Sequence, residues 1–316
     1  MRKRMLVATE GGAGSLGALR TAQALAERDG AEVEVLAVVE PALGYGPPVN
    51  GTVPGHEEIE ATVARRVGDT VRRQLRGLGG GAAGWEVVVR IGSVAPTIAR
   101  EAEARDADVI VLGRRVHEGL GRFLGRETAL DVVRLAGVPV LAVPPEGGAL
   151  PASVLVAVDF SEGGRDSARA ALELLPAGGV VHLAHVSWSI PADAVRDGGQ
   201  WVETYDDGAR TRLDELRRVL EAPGGVRVRT HLLHGEAAPQ LLALAEREGV
   251  GLIVVGSHGN GFFSRAILGS VATRVFRGAR CAVLLRPLPG ESSLLTREDV
   301  EEELHLTAAP GSAGGA

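Results

Sequence analysis

Residues 234–256 read His234-Gly-Glu-Ala-Ala-Pro-Gln-Leu-Leu-Ala-Leu-Ala-Glu-Arg-Glu-Gly-Val-Gly-Leu-Ile-Val-Val-Gly256. Residues 91–113 read Ile91-Gly-Ser-Val-Ala-Pro-Thr-Ile-Ala-Arg-Glu-Ala-Glu-Ala-Arg-Asp-Ala-Asp-Val-Ile-Val-Leu-Gly113. Each stretch has a glycine, an Ala-Pro pair, a helix-forming run rich in Ala, Glu and Arg, and a short apolar run closed by glycine. The two lie 143 residues apart, which is too long a period for a solenoid. The chain therefore contains a duplicated domain.

The repetition extends to both ends of each half. The opening run Met5-Leu-Val-Ala-Thr-Glu10 corresponds to Val154-Leu-Val-Ala-Val-Asp159 at an offset of 149 residues. The closing run Val138-Pro-Val-Leu-Ala-Val143 corresponds to Cys281-Ala-Val-Leu-Leu-Arg286 at an offset of 143. Matches at the start, middle and end, in the same order, indicate that a whole domain has been duplicated.

Composition suggests where the domains end. Residues 144–151 are rich in Gly and Pro, which favours a linker, so we expect one domain over residues 1–148 and a second over 149–290. Another Gly/Pro-rich stretch, 41–55, is interpreted as a loop of the first domain. Residues 291–316 form an acidic tail that ends in a low-complexity run, for which we expect disorder.

The apolar runs within each half are short, continuous and rich in Val, Ile and Leu. Such runs are typical of parallel strands that are covered on both faces of a sheet. Helical patterns separate them, for example at 166–175 and 239–248. The predicted fold class is therefore α/β, with two tandem doubly wound, Rossmann-like domains. We expect each domain to carry its own sheet of five parallel strands, ordered 3-2-1-4-5, and the domains to pair about a pseudo-twofold axis. The strands expected in the second half are 153–158, 180–187, 226–233, 251–255 and 281–286.

Charge and cysteine content exclude several classes of protein. The chain has a net charge of −6, of which −5 lies beyond residue 287, where six acids stand against Arg297. The small remainder argues against a basic face that tracks nucleic acid. No apolar run approaches the ~20 residues of a membrane span, and the opening residues lack the apolar run of a secretory signal. The single cysteine, Cys281, fits a reducing compartment. We therefore expect a cytoplasmic protein that has neither nucleic-acid nor membrane partners.

A glycine-rich loop follows the fourth strand of the second half: Gly256-Ser-His-Gly259-Asn-Gly-Phe-Phe-Ser-Arg265-Ala-Ile-Leu-Gly269-Ser270-Val271. Glycines allow a backbone to approach a phosphate closely. A helix expected to begin at Gly269-Ser270 offers free N–H groups to an anion. Ser270 adds a hydroxyl group and Arg265 a permanent positive charge. The loop therefore predicts a phosphate site at the carboxyl edge of the sheet, between strands one and four.

Two side chains from neighbouring strands are expected to face the same crevice. Asp159 is predicted to end strand one and to accept hydrogen bonds from a ribose or an adenine. Val186 is predicted to end strand two and to pack against the base.

The spacing Gly256-x2-Gly259-x9-Gly269-Ser270 resembles the ATP-binding loop of universal stress proteins, Gly-x2-Gly-x9-Gly-Ser/Thr. Val156-Ala-Val-Asp159-x-Ser161 is similar to the opening strand of that family, and Cys281-Ala-Val-Leu-Leu to its closing strand. The likeness covers nearly all of residues 152–287 and, more loosely, 4–144. It implies a fold like that of the adenine-nucleotide α-hydrolases, ATP as the ligand, with or without Mg²⁺, and dimer-like pairing of domains within one chain or in a homodimer. The residues assigned to the nucleotide are Ala157, Val158, Asp159, Val186, Gly256, Ser257, His258, Gly259, Arg265, Gly269, Ser270 and Val271.

The first half departs from this pattern. Val116, in Gly113-Arg-Arg-Val116, replaces the second glycine, and Gly125 is followed by Arg126 rather than by Ser or Thr. Glu10 stands in place of the aspartate. Because a β-branched side chain crowds a backbone that must approach phosphate, we expect this half to bind no nucleotide and to serve as a scaffold. The alternative is a different anion, held by Arg114, Arg115, Arg122 and Arg126.

Two other patterns suggest rival sites. Gly12-Ala-Gly14-Ser-Leu-Gly17, with Glu40 after the next strand, fits the layout of a dinucleotide fingerprint in the first domain. The simpler interpretation is a turn of small residues, since the matching segment of the second half, Phe160-Ser-Glu-Gly-Gly-Arg165, lacks the glycine pattern. The pairs His182/His185 and His231/His234 have the spacing of some metal ligands. Residues i and i+3 on a strand point to opposite faces, however, so we interpret these histidines as core or surface residues.

Two classes of function stay open at this point. One is a regulatory protein that holds ATP and transmits its presence through the pairing of domains. The other is a slow ATP hydrolase, or a nucleotidyl or phosphoryl transferase, that uses the same crevice. The sequence favours the first class, because it has no Walker lysine and no second acid beside Asp159. His258 is interpreted as a neighbour of the phosphate rather than as a base.

Overall fold

The computed structural model describes residues 3–41, 56–114, 126–187, 198–222, 225–256 and 268–287. Over these residues the chain alternates strands and helices. The strands are β1 (Arg4–Ala8), β2 (Glu32–Val39), β3 (Glu86–Ile91), β4 (Val109–Gly113), β5 (Val140–Val143), β6 (Ser153–Ala157), β7 (Val180–Ser187), β8 (Arg227–His234), β9 (Leu252–Gly256) and β10 (Ala282–Arg286). The helices are α1 (Leu16–Asp29), α2 (His56–Leu78), α3 (Val94–Ala104), α4 (Arg126–Leu135), α5 (Glu162–Leu174), α6 (Gly198–Glu221), α7 (Ala237–Glu248) and α8 (Ser270–Gly278).

The strands in the described part of the chain form one sheet, ordered β3-β2-β1-β4-β5-β10-β9-β6-β7-β8. Within each half every pairing is parallel and the order is 3-2-1-4-5, as predicted. The doubly wound α/β class is confirmed. The expectation of a separate sheet in each half is wrong, because β5 pairs antiparallel with β10. Each of these strands is the edge of its half-sheet, and their pairing satisfies backbone groups that an open edge would leave without partners.

The register at this junction has twofold character. Leu141 of β5 lies opposite Leu284 of β10, and these two residues occupy equivalent positions in the repeat. On either side of them, Val140 pairs with Leu285 and Ala142 pairs with Val283. Exchanging the two halves converts one of these pairs into the other. A pseudo-twofold axis therefore passes between the two leucines.

Helices cover both faces of the sheet. One apolar core lies between the sheet and α3, α4, α7 and α8, with Ile98 and Phe276 among its fully buried side chains. The other lies between the sheet and α1, α2, α5 and α6, and includes Leu19 and Leu213. Burial of each strand on both sides explains why the strand sequences are continuously apolar.

The expected elements of the second half are all present, with small shifts at their ends. Helix α5 begins four residues before the predicted start at 166, because Ser161 caps it through a hydrogen bond from the N–H group of Gly164. Helix α7 ends where Gly249 adopts a left-handed φ of 60°. None of the described helices has an apolar stretch long enough to cross a membrane. The predicted tail at 291–316 lies outside the described residues.

Candidate nucleotide site

The carboxyl ends of β6 and β9 lie side by side in the second half. Val156 of β6 is opposite Val254 of β9, so two residues further along Val158 is level with Gly256. On the other side of β6, the N–H group of Val158 donates to the carbonyl of Ala184 in β7 (2.9 Å). The sheet therefore brings three of the expected strand ends to one edge, the position where doubly wound folds bind ligands.

Asp159 lies two residues beyond the end of β6, rather than at its end as predicted. The chain turns away from the sheet here, because Phe160 adopts a positive φ of 62°. The Asp159 Oδ1 atom accepts hydrogen bonds from the Ser161 N–H group (3.0 Å) and from its hydroxyl group (2.5 Å). The same hydroxyl oxygen accepts from the Gly164 N–H group (3.1 Å) at the start of α5. Ser161 thus fixes the carboxylate and caps the helix at once.

His185, near the end of β7, contacts the backbone just before this turn. Its Nδ1 atom lies 2.8 Å from the carbonyl oxygen of Val158. A carbonyl only accepts, so Nδ1 carries a proton, and the Nε2 atom lies within hydrogen-bond distance of the Tyr205 hydroxyl group (3.1 Å). The ring of Phe160 packs on His185 at 4.3 Å, and the Arg212 guanidinium lies 5.6 Å from the centre of the Phe160 ring.

From the sequence, His185 was interpreted as a core or surface residue with a metal-like spacing to His182, and this arrangement was not predicted. The signal available was the position of His185 at the end of a buried strand, beside the crevice.

Val186 and Ala157 face the layer of α7 and α8, where they are partly buried against the core. Helix α8 begins at Ser270 in that same layer, after Gly269, which has no side chain to cap it. Its first N–H groups have no acceptor within the helix, and Ser270 and Val271 are exposed. Four of the predicted ligands, Ser257, His258, Gly259 and Arg265, lie outside the described residues.

In the first half a turn of the backbone packs against the end of β4. A methyl group at Gly113, the last residue of β4, would come within 2.4 Å of the carbonyl oxygen of Gly14. Gly14 belongs to a 3-10 turn. A hydrogen bond between the buried hydroxyl groups of Thr9 and Ser15 (2.7 Å) stabilises this turn. The glycine at Gly113 is therefore required for packing of this turn.

The glycines of the dinucleotide fingerprint also have packing roles. Gly17 lies against the linker, where a methyl group would come within 1.9 Å of the Pro144 carbonyl oxygen. Glu40 is exposed just beyond β2. The contact with Pro144 accounts for Gly17 without a ligand.

Arg114 is not in the crevice of the first half, where the alternative of a different anion had placed it. Its side chain is buried against carbonyl oxygens of the second half. Arg126 begins α4, and Arg115, Arg122 and Val116 lie outside the described residues.

The histidine pairs do not converge on a metal. His182 contacts His231 (Nδ1 to Nε2, 3.0 Å), whereas His234 contacts Asp206 (2.9 Å) and His185 faces the turn after β6. Burial lowers the pKa of both His182 and His231. In the part of the chain that the structure describes, no group of three His, Cys, Asp or Glu side chains is arranged to hold a metal ion.

A separate cavity of about 500 Å³ lies at the junction of the halves. It is at the amino ends of β9 and β10, the sheet edge opposite the crevice, and the linker crosses it. Apolar side chains such as Leu25, Leu150 and Leu174 dominate its lining, and Cys281 also contributes. Burial raises the pKa of the Cys281 thiol and so disfavours its reactive thiolate form.

Comparisons with known proteins agree with the duplication and the fold. A model of the Universal stress protein family matches residues 1–144 and, again, 152–287. A universal stress protein of Mycolicibacterium smegmatis is 28% identical over 286 residues, which are 89% of this chain and 96% of that protein. A solved universal stress protein from Archaeoglobus fulgidus has the same fold, with a TM-score of 0.64 at 22% identity over 92% of this chain and 97% of its own. This chain therefore belongs to the universal stress protein family and carries the family's domain twice.

Proposed function

We propose that this protein binds ATP, with or without Mg²⁺, in its second half and acts as a nucleotide-dependent regulator. The observation that carries the proposal is the convergence, at one sheet edge, of the Asp159 turn, Gly256 and the uncapped start of α8. An acceptor carboxylate, a glycine at the end of a strand and the N-terminus of a helix are the parts that a nucleoside polyphosphate needs.

Each part of the nucleotide has a proposed set of neighbours. Asp159 accepts from the ribose or adenine, Val186 packs on the base, and the backbone of Ala157 and Val158 lines the floor. The phosphates lie between the loop, with its cation at Arg265, and the start of α8. The residues proposed for the phosphate side are Gly256, Ser257, His258, Gly259, Arg265, Gly269, Ser270 and Val271.

The first half is proposed to bind no nucleotide. The close packing of the turn at Gly14 and Ser15 on Gly113 supports this, because it leaves little room for a phosphate beside the end of β4. We further propose that the two halves are units divided at residues 148/149, that they work as a pair, and that the protein acts in the cytoplasm.

The alternative is slow hydrolysis of ATP, or transfer of a nucleotidyl or phosphoryl group, in the same crevice. A sensitive assay of phosphate release from ATP by the purified protein separates hydrolysis from binding alone. We expect no release above that of an Asp159→Ala variant. Mass spectrometry of the small molecule released on denaturation identifies what the protein carries, and we expect an adenine nucleotide.

The proposal is tested by substitutions at the two ends of the nucleotide. Gly259→Val places a β-branched side chain where phosphate should approach and should abolish ATP binding while the fold stays intact. Gly81→Val, at a glycine of the first half with open space around it, is the matched control and should bind normally. Ser270→Ala removes one hydrogen bond to a charged group and should weaken ATP binding about ten- to a hundred-fold.

Comparing ATP with adenosine assigns the two ends. Asp159→Ala should weaken the binding of both, and Arg265→Ala should weaken the binding of ATP alone. If Asp159→Ala and Gly259→Val both bind ATP like the wild type and keep native circular dichroism, the nucleotide site lies elsewhere. The glycine turn of the first domain, with Gly12 and Glu40, then becomes the leading candidate as a dinucleotide site.

A further inference from the structure

Two helices of the second half begin at the proposed nucleotide crevice, and both end against the first half. Helix α5 starts directly after the Asp159 turn, and helix α8 starts at Ser270. In each case an arginine of the first half donates hydrogen bonds to carbonyl oxygens at the far end of the helix.

Arg114 holds the end of α8. Its guanidinium donates to the carbonyl oxygens of Phe276 (2.9 Å), Ala279 (2.8 Å) and Cys281 (2.7 Å), and lies 5.6 Å from the centre of the Phe276 ring. Only 2% of Arg114 is exposed. Arg114 directly follows β4, so its main chain belongs to the first half while its charge is buried in the second.

A buried arginine fits this position for electrostatic reasons. The last carbonyl groups of a helix have no partner within it, and the helix dipole makes that end negative. The planar guanidinium carries five N–H donors in a fixed arrangement, so a single side chain satisfies three carbonyls at once. The contact therefore fixes where the end of α8 lies relative to the first half.

Arg28 holds the end of α5 in the same way. It lies in the last turn of α1 of the first half and donates to the carbonyl oxygens of Glu173 and Leu175. Its guanidinium is steadied by two hydrogen bonds to Asp29 (2.6 and 2.7 Å), which raise the pKa of Arg28 and lower that of Asp29. Lys3 adds an ion pair with Glu173 on the same side.

We propose that the first half positions the nucleotide site of the second, with Arg114 and Arg28 as its positioning residues. Helix α8 has nine residues and is therefore about 14 Å long. A rigid rod of this length transmits a shift at Phe276 to the N–H groups at Ser270. The inference rests on the proposed ATP site, and gives the first half a role that does not require it to bind a nucleotide.

The two arginines are expected to affect different parts of the ligand. Because α8 starts at the phosphates, Arg114→Met should weaken ATP binding about ten-fold and leave adenosine binding unchanged. Because α5 starts beside Asp159, Arg28→Met should weaken the binding of ATP and adenosine equally. Arg114→Lys keeps the charge and three donors, and should restore most of the ATP affinity. A loss of stability alone would not separate the two ligands in this way.

Arg105→Met is the matched control. Arg105 is also a partly buried arginine of the first half, but its ion pairs are with Glu34 and Glu101 of that same half. We expect it to bind both ligands like the wild type. Hydrogen exchange of the ligand-free proteins gives a second measurement: the α8 amides should exchange about ten-fold faster in Arg114→Met, and the α5 amides faster in Arg28→Met, but neither in the control.

The outcomes distinguish this inference from the ATP proposal. If the wild type binds no ATP, the proposed function fails, while hydrogen exchange still decides whether the arginines hold the helices. If ATP binding and helix exchange in Arg114→Met and Arg28→Met both match the control, the inference is overturned. Should Arg114→Met fail to fold, Arg28→Met carries the same test, because the Arg28 side chain is a quarter exposed and its replacement is less disruptive.

Discussion

Replacing Ser161 by alanine removes two hydrogen bonds that meet at the proposed nucleoside site. The hydroxyl group accepts from the Gly164 N–H group at the start of α5 and donates to the Asp159 carboxylate. One bond stabilises the helix and the other orients the ligand-binding side chain. The substitution should therefore lower both the free energy of unfolding and the affinity for ATP.

The structure sets the size of each effect. Loss of an N-cap side chain costs about 1 kcal/mol. The Asp159 carboxylate keeps its bond from the Ser161 N–H group (3.0 Å), so it is loosened but not released. We expect about 1–2 kcal/mol of destabilisation in total. ATP should bind about five-fold more weakly, which corresponds to roughly 1 kcal/mol.

Urea unfolding and calorimetric titration with ATP measure the two effects. Ser93→Ala is the control, because Ser93 also stands at the N-cap of a helix, α3, but its side chain makes no capping hydrogen bond. It should change unfolding by less than about 0.5 kcal/mol and leave ATP binding as it is. If Ser161→Ala behaves like Ser93→Ala in both measurements, the proposed role of this turn is refuted.

Three further predictions concern stability and reactivity. Gly17→Ala places a methyl group 1.9 Å from a linker carbonyl oxygen and should lower the free energy of unfolding by about 1–3 kcal/mol. Gly77→Ala, at a helix position with open space around it, should raise the free energy of unfolding by about 0.5–1 kcal/mol. Urea unfolding measures both changes. Burial lowers the pKa of His182 and His231 in the folded protein. The free energy of unfolding should therefore be highest above pH ~6.5, and it should fall as the pH drops below that value towards the lowered pKa of the two histidines. His231→Gln should make the melting temperature less dependent on pH. The raised pKa of Cys281 predicts slow labelling by a thiol reagent in the native protein and complete labelling in urea; fast native labelling at pH 7 would contradict it.

Sequence reasoning was sufficient for the architecture of each half. Continuous apolar strands such as Leu252–Gly256 require cover on both faces, and the alternation with helices leaves a doubly wound sheet as the natural solution. The junction of the halves was not predictable in the same way. The segments 140–143 and 282–286 have the composition of buried strands, but the sequence of a strand does not predict which other strand will pair with it at the edge of a sheet.

Some features of the site could also be predicted from the sequence, and others could not. The start of α8 at Ser270 and the position of Asp159 just after β6 follow from local spacing. The burial of Arg114 does not, because an arginine in a loop is usually solvated and its acceptors lie more than 160 residues away, at the end of a helix in the other half. The contact of His185 with the carbonyl group of Val158 was equally hidden, since it joins residues 27 positions apart in the sequence.

The number of ATP molecules bound per chain tests most directly whether the second half alone is the nucleotide-binding unit. Calorimetric titration of the full chain should give one site, and Gly259→Val should abolish it. Two equal sites per chain, or one site that persists in Gly259→Val, would contradict this division of roles between the halves.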